Sequence, residues 1–384
     1  MHKNLSDLSE LYVFITFAGN DTCSFVDFVC SGAFKNSANV VCFPGRRLLL
    51  SRKIRIFLNP VGGTSMKSYA QLVAIGELLI DFTPAESSGN PMFEQNPGGA
   101  PANVLAAFTK LGGKAAMIGM VGEDLFGRYL RGVLQDAGID DRGLKNTAEA
   151  ETTLAFVSIA PDGDRDFAFY RRPGADTRLR WEDVDTSLIK ECDMLAFGSL
   201  SQTTEPSKTA TLQAVHMARK LGKTIAYDPN WRPSLWQDRE AGIETMRAGL
   251  SFTDILKVSD EEAILLTGER DWSAAAERLA AYGPRSVFIT LGAEGCFYRL
   301  AGVEGLAPGY PVNCVDTTGA GDAFFGAALA EIHQLGGLGA LNASDASRIA
   351  RFANAAGAIC ASRRGAIPAM PDRSEIEKLV QEAE

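Results

Sequence analysis

The chain has 384 residues, of which 46% are hydrophobic and 22% are charged, and its formal net charge is −9. This composition is that of a globular protein and excludes a mainly disordered, collagenous or fibrous chain. The acidic balance argues against nucleic acid or an anionic membrane as the main partner, so any anionic ligand needs a local binding geometry.

Residues 1–65 differ in composition from the rest of the chain. They carry seven basic and four acidic side chains, although the whole chain is acidic. Their apolar stretches are shorter than the roughly 20 residues that cross a bilayer, and Asp7 and Glu10 precede the first of them, which is unlike a secretory signal. We therefore expect Met66 to be the true initiator and residues 1–65 to be a non-native or disordered extension. A genuine but unusual extension or targeting segment is the alternative.

From Leu72 onward, short apolar runs alternate with helical segments. Leu72–Phe82 is typical of a first buried strand, Pro101–Leu111 of a helix, Lys114–Val121 of a second strand, and Asp124–Ala137 of an amphipathic helix. This alternation predicts an α/β fold with a mostly parallel sheet covered on both faces. Further strands are predicted at Met194–Gly198, Thr224–Asp228, Asp254–Val258 and Ser286–Leu291, with helices near 205–221, 238–251, 260–267, 272–282, 320–334 and 344–361.

One segment departs from that alternation. Thr152–Ala160 and Asp166–Arg171 alternate apolar and polar residues on either side of Pro161–Asp164. This pattern predicts a β-hairpin. In an α/β protein such a hairpin is either a plain extension of a sheet edge or a lid over a binding site, and the pattern alone leaves both open.

The sequence motifs of several common enzyme classes are absent. The sequence contains no GxxxxGK[ST] phosphate loop, no GxGxxG after a strand, no HExxH and no GxSxG. His2, His216 and His333 are isolated from other metal ligands, which disfavours a histidine metal site or a catalytic triad. The seven cysteines form no CxxC pair, so we expect reduced thiols and a cytosolic protein.

The strongest motif is Asp316–Asp322, with the sequence DTTGAGD, which precedes an apolar helix. Gly319, Ala320 and Gly321 place little side-chain bulk at the start of that helix, so backbone N–H groups can converge on a phosphate. The positive end of the helix dipole adds to this attraction. Asp322, in the first turn, would then lie close enough to the transferred group to accept a hydroxyl proton.

This heptad resembles the C-terminal signature of the ribokinase-like (pfkB) carbohydrate kinases, and Gly98–Gly122 resembles their N-terminal signature. The resemblance extends over about residues 70–375. It implies a ribokinase-like three-layer sandwich with a mostly parallel central sheet, in which the hairpin at 152–171 is part of a small β lid. Within that family the chain resembles fructokinases through GGAPANV at 98–104, FYRRPGAD at 169–176 and YDPNWRP at 227–233.

The resemblance implies a set of sugar-binding residues. Gly98, Gly99 and Asn103 match positions that line the sugar pocket of the family. The glycine pair permits close backbone approach, and the amide offers a donor and an acceptor. Asp81, at the end of the first predicted strand, matches the acidic ligand of a sugar hydroxyl. Arg171 is a candidate contact to the sugar or its new phosphate, with a solvated surface arginine as the alternative.

The predicted nucleotide-binding residues also follow from the resemblance. Thr290, Gly292 and Gly295 belong to a turn, TLGAEG, that resembles the ATP-binding turn of the family. Asn354 matches a position close to the adenine. Asn230 lies in the YDPNWRP segment and is a candidate contact to the phosphates, with a turn-capping role as the alternative.

Metal sites are implied by the resemblance alone. Glu262 matches the acidic end of an NxxE motif that organises Mg²⁺ through water, but Ser259 stands where the family has asparagine. Mg²⁺ usually keeps several waters and shares phosphate oxygens, so few protein ligands are expected. A monovalent cation, such as K⁺, is similarly implied near Asp316, Thr318 and Gly365.

Together these features predict an ATP-dependent sugar kinase that uses Mg²⁺. Its expected substrate is D-fructose, phosphorylated on a primary hydroxyl to fructose 6-phosphate. A 2-keto-3-deoxygluconate kinase or a ribokinase is the alternative within the family, and a non-catalytic protein that binds sugar or nucleotide is the alternative of another class. The expected partners are the sugar and ATP, without nucleic acid or membrane, and the sequence leaves a homodimer open.

Overall fold

The computed structural model describes residues 11–17, 23–30, 35–37, 55–60, 69–85, 90, 92–159 and 165–383. Met66 and the hairpin turn Pro161–Asp164 lie outside the described residues. The chain divides into two units, Met1–Lys67 and Ser68–Glu384. In the first unit one four-stranded sheet contains β1 (Leu11–Phe17), β2 (Cys23–Cys30), β3 (Lys35–Ser37) and β4 (Arg55–Pro60) in the order β3-β2-β1-β4.

The described residues of the second unit form two sheets. The smaller one consists of β6 (Leu79–Ala85), β7 (Met92–Gly98), β10 (Leu154–Ile159) and β11 (Arg165–Tyr170). The larger one has nine strands, which are β5 (Leu72–Ile75), β8 (Ala115–Gly122), β9 (Leu144–Thr147), β12 (Met194–Gly198), β13 (Thr224–Asp228), β14 (Ile255–Ser259), β15 (Ser286–Thr290), β16 (Gly295–Leu300) and β17 (Val303–Pro308).

The larger sheet has the strand order β17-β16-β15-β14-β13-β12-β5-β8-β9 and is parallel except for β16 and β17. The helices of this unit are α1 (Ala100–Lys110), α2 (Leu125–Asp136), α3 (Thr186–Glu191), α4 (Ser207–Lys220), α5 (Arg239–Leu250), α6 (Asp260–Thr267), α7 (Trp272–Ala280), α8 (Ala320–Gln334), α9 (Ala343–Ala361) and α10 (Arg373–Glu382). In the described part of the chain, none of the helices has the length and apolar character that crossing a membrane requires.

Two hydrophobic cores lie on opposite faces of the larger sheet. Along β5, Leu72 and Ala74 belong to one core, whereas Val73 and Ile75 belong to the other. Helices α1, α2, α8, α9 and α10 contribute to the first core, and α3 to α7 contribute to the second. Because strands buried on both faces are apolar throughout, the short apolar runs correctly predicted this three-layer α/β arrangement.

The smaller sheet contains the predicted hairpin. β10 and β11 pair antiparallel, and β10 also pairs with β6, so the strand order is β11-β10-β6-β7. Phe82 and Phe156 stack across this sheet with ring centroids 4.9 Å apart. The hairpin therefore forms half of a four-stranded sheet that is separate from the central sheet. We call it the lid sheet after the role that the sequence resemblance implies.

The prediction of one strand over Leu72–Phe82 was wrong. β5 ends at Ile75 in the central sheet, and β6 begins at Leu79 in the lid sheet. β5 and the first residues of β6 are buried and largely apolar, so they appear in the sequence as one run that is interrupted at Gly76 and Glu77. As a result, Asp81 lies within a lid strand and not at the end of the first central strand.

Candidate active site

The N-terminal end of α8 leaves backbone amides available to an anion. Gly319 caps the helix with a φ of 80°, a left-handed value that favours glycine, and a Cβ there would lie 2.6 Å from that of Ala366. The Ala320 N–H donates a hydrogen bond to the Thr317 carbonyl oxygen at 3.2 Å. The amides of Gly321 and Asp322 have no acceptor among the described residues, as is usual in a first helical turn.

Asp322 joins the two signature regions of the sequence. Its Oδ2 accepts a hydrogen bond from Asn103 Nδ2 at 2.8 Å, which connects α8 with α1. Desolvation raises the pKa of Asp322, although Lys257, Asn103 and Arg232 favour its charged form. A carboxylate with a raised pKa is a stronger base at neutral pH. In the described part of the chain, Asn103 Oδ1 is buried without a partner and can accept from a ligand.

A buried lysine lies beside the tip of α8. Lys257 Nζ donates to Asp228 Oδ2 at 2.9 Å, and a Cβ added to Gly321 would lie 3.1 Å from this Nζ. Burial opposes the charge, but the carboxylates of Asp228, Glu262 and Asp322 outweigh it and raise the pKa of Lys257. Sequence reasoning missed this residue. A lysine inside the buried strand ILKVS was the available signal, because lysines are rarely buried without a partner.

Asp81 faces the site from the lid sheet. Desolvation raises the pKa of its buried carboxyl to about 7. A Cβ on Gly98 would collide with Asp81 Oδ2, so the glycine provides the space that the carboxyl occupies. Gly99 caps α1 with a φ of 113°, and a Cβ there would lie 2.5 Å from the Glu77 carbonyl oxygen. Glycine is therefore required at both positions, because a larger residue would collide with the Asp81 carboxyl or with the Glu77 backbone.

These groups line one cavity of about 250 Å³ between the lid sheet and the tip of α8. Glu77, Arg232 and Lys257 also line it, and sequence reasoning proposed none of them as a site residue. The predicted site residues that line the cavity are Asp81, Gly99, Asn103, Asn230, Thr318, Gly319, Gly321 and Asp322.

Arg171 is not among the residues that line this cavity. Its guanidinium donates to Asp176 Oδ2 at 2.6 and 2.8 Å, to Thr203 Oγ1 at 2.7 Å and to the Leu200 carbonyl at 3.0 Å. Arg171 and Asp176 are both buried. The arginine therefore anchors the segment that follows β11, and its side chain does not line the cavity.

Glu262 forms a helix cap. Its Oε2 accepts from the Ser259 N–H at 2.8 Å, and its Oε1 accepts from the Trp231 N–H at 2.6 Å. Ser259 Oγ in turn accepts from the Glu262 N–H, so this serine acts as the N-cap of α6. Both carboxylate oxygens are occupied, and the residue does not line the cavity.

The predicted nucleotide residues other than Asn230 also lie outside the cavity lining. Asn354 Nδ2 donates to the carbonyls of Ala307 and Pro308, which fixes α9 to the end of β17. Thr290, Gly292 and Gly295 form the turn between β15 and β16, where Gly292 has a φ of 58° and Gly295 a φ of 104°.

The predicted cation loop is tied together by one carboxylate. Asp316 Oδ1 accepts from the Thr318 N–H at 2.9 Å, and Oδ2 accepts from the Gly365 N–H at 3.1 Å. These bonds connect the loop before α8 with the loop after α9. Among the described residues, no group of three or more His, Cys, Asp or Glu side chains is placed to hold a metal ion.

Comparisons with known proteins agree on one family. Fructokinase-1 of Oryza sativa subsp. japonica is 41% identical over 317 residues, which are 81% of this chain and 98% of the relative. A fructokinase from Xylella fastidiosa with bound ATP has a TM-score of 0.75 and 33% identity, over 82% of this chain and 99% of its own. A fructokinase double mutant from Vibrio cholerae, with fructose, ADP and a potassium ion bound, has a TM-score of 0.75 and 28% identity, over 82% of this chain and 100% of its own.

Residues 70–373 match the pfkB family of carbohydrate kinases. This range includes the lid strands, the central sheet and both signature regions that meet at the Asn103–Asp322 hydrogen bond. The match covers most of the chain, and the chain belongs to the pfkB family of carbohydrate kinases.

Proposed function

We propose that this protein is an ATP-dependent fructokinase that phosphorylates D-fructose on a primary hydroxyl to give fructose 6-phosphate. The hydrogen bond between Asn103 and Asp322 carries the proposal, because it joins the sugar-side signature to an acid beside an anion-binding helix tip. The rice, Xylella and Vibrio relatives are all named fructokinases, which supports fructose as the acceptor.

On the acceptor side, the chain supplies orientation and a base. Asp81 and Asn103 bind sugar hydroxyls, and Gly99 lets the backbone approach the ring. Asp322 takes the proton of the attacking hydroxyl as the new bond to phosphorus forms. The lid sheet, whose Phe169 also lines the cavity, excludes water that would compete as the acceptor.

On the donor side, the chain stabilises negative charge on the transferred phosphoryl group. The free amides at the tip of α8 point towards it, with the positive end of the helix dipole behind them. The Lys257 ammonium adds a cation held in place by Asp228. Because these groups are fixed before ATP binds, they need no reorganisation during the reaction.

Mg²⁺ suits this site as an ion held mainly by phosphate oxygens and water. When bound, it neutralises charge on the β- and γ-phosphates. Glu262 does not line the cavity, and each of its oxygens accepts a backbone hydrogen bond, so we expect this residue to hold the ion through water.

We expect potassium to increase kcat, because a monovalent cation beside Asp316 would stabilise the loop that sets the tip of α8. The potassium ion in the Vibrio cholerae fructokinase mutant supports this expectation. The measurement compares turnover in potassium and tetramethylammonium salts at equal ionic strength. Equal rates in the two salts would contradict a cation role for this loop.

The proposed substrate is tested by coupled ADP release with fructose, ribose, 2-keto-3-deoxygluconate and adenosine, each with ATP and Mg²⁺. We expect the highest kcat/KM with fructose, and phosphorus NMR of the product should identify the 6-phosphate. A higher kcat/KM with another sugar would reassign the acceptor. ADP release with none of the four would favour a non-catalytic binding protein.

A further inference from the structure

Glu77 is a buried acid that the mechanism above does not use. It lies in the break between β5 and β6, where the chain passes from the central sheet to the lid sheet, and only 2% of its surface is exposed. Its Oε2 has no hydrogen-bond partner in the described part of the protein. Because a buried polar atom without a hydrogen-bond partner is unfavourable, we expect this oxygen to bind a ligand.

The position of Glu77 limits what that ligand can be. Glu77 lines the cavity of about 250 Å³ and also a second cavity of about 20 Å³, which Asp228 and Asn230 share. The smaller cavity has room for about one water molecule. A larger ligand therefore meets Glu77 from the sugar side, where Asp81 and Asn103 also line the wall.

The charges around Glu77 disfavour its ionised form. Asp81 and Asp322 line the same cavity, and Asp228 lines the smaller one. Asp176 and Arg171 form a buried ion pair near Glu77. Asp176 raises the pKa of Glu77, and Arg171 lowers it.

The two cations of the cavity wall do not remove this excess of carboxyl groups. Lys257 is paired with Asp228, and the charge of Arg232 acts on Asp81 and Asp322. Burial raises the pKa of Glu77 to about 8, with Asp176 and Asp322 adding to the effect.

A neutral carboxyl group adds a hydrogen-bond donor on the Glu77 side of the pocket. When they are ionised, Asp81 and Asp322 can only accept hydrogen bonds, and Asn103 Nδ2 uses one of its two N–H groups on Asp322. Sugar oxygens need donors as well as acceptors. A protonated carboxyl group has one O–H donor and retains an acceptor.

We propose, on the basis of the fructokinase function proposed above, that Glu77 binds the sugar as a neutral carboxylic acid and donates a hydrogen bond from Oε2 to a sugar oxygen. It is a positioning and specificity residue, because the proton that it holds does not move during phosphoryl transfer. The O–H donor is present below the pKa of Glu77 and is lost as the pH rises through about 8.

The test is the KM for fructose of wild type, Glu77→Gln and Glu77→Ala, measured from below to above pH 8. The amide of Gln donates at every pH, so E77Q should keep the wild-type KM near neutrality and should not share its rise at alkaline pH. E77A should raise KM about tenfold, the size expected for one lost hydrogen bond. The KM for ATP should stay unchanged in both variants.

Controls separate this inference from the proposed function. Glu277→Gln, an exposed position on α7, should behave as wild type at every pH. E77Q should also lose one infrared carbonyl band of a protonated carboxyl group at neutral pH, which requires no turnover and no stable E77A.

Three results would contradict the inference, and a fourth would contradict the proposed function. A rise in KM of E77Q equal to that of E77A, alkaline profiles that coincide in wild type and E77Q, or an unchanged infrared spectrum would overturn the inference. Absence of fructose turnover by wild type would contradict the proposed function, and the infrared band would still decide the protonation state of Glu77.

Discussion

Asp322→Asn is expected to lower kcat by about 10²–10⁴-fold, the contribution typical of a general base, with little change in the KM for fructose. The asparagine keeps an oxygen that can accept from Asn103, so the contact between α1 and α8 survives. What it removes is the ability to accept the proton of the attacking hydroxyl. Steady-state kinetics with fructose and ATP measure both parameters.

The pH dependence gives a second readout of the same variant. The pKa of Asp322 is raised by desolvation and the base must be ionised, so wild-type kcat should fall as the pH drops through that raised value. The fall should occur at a pH above the ordinary pKa of an aspartate side chain, which is about 3.9. Asp322→Asn should lose this acid limb, whereas Asp136→Asn, at an exposed position on α2, should retain it. Turnover close to wild type in Asp322→Asn would refute the role of this residue as the base.

Gly319→Ala should lower kcat/KM for ATP by about 10²–10³-fold, the loss expected when an oxyanion-type donor is displaced. The added Cβ would lie 2.6 Å from the Cβ and 2.9 Å from the Cα of Ala366, so the tip of α8 must shift. Its amides would then no longer point at the phosphoryl group. Initial rates at varied ATP concentration measure the loss.

A glycine near the other end of α8 provides the matched control. Gly337, just beyond the C-terminal end of α8, has a φ of 86°, and a Cβ there would meet no atom within 4 Å. Alanine at either position costs about 1–2 kcal/mol of backbone strain, so both variants should lower the Tm. Only Gly319→Ala should lose activity beyond that effect. Equal activity losses in the two variants would indicate that the tip of α8 does not bind the phosphate.

Much of the architecture could be predicted because the sheet is parallel and buried. The strands at Met194–Gly198 and Thr224–Asp228 have the predicted limits, and so do the helices at 260–267 and 320–334. Apolar runs, capping residues and terminal glycines are local signals that the sequence carries directly. The antiparallel strands β16 and β17 were not predicted, and β17, an edge strand of the sheet, has mostly partly buried or exposed positions.

The site was harder to predict because burial changes what a side chain does. Lys257 and Glu77 appear in the sequence as single charges in apolar runs, and only the fold brings them to the cavity. Arg171 and Glu262 lie in motifs that resemble functional segments, yet in the structure their polar atoms are satisfied by Asp176 and by backbone amides. Sequence patterns identify candidate residues, whereas three-dimensional partners decide which of them remain free for a ligand.

The break between β5 and β6 also restricts how the cavity can open. Three residues separate Ile75 in the central sheet from Leu79 in the lid sheet, and this connection spans at most about 14 Å when fully extended. The small sheet is therefore held on a short tether next to the residues that it covers. Any opening of the small sheet is confined at Leu79 to the reach of this connection, and Asp81, in the same strand, would move with it.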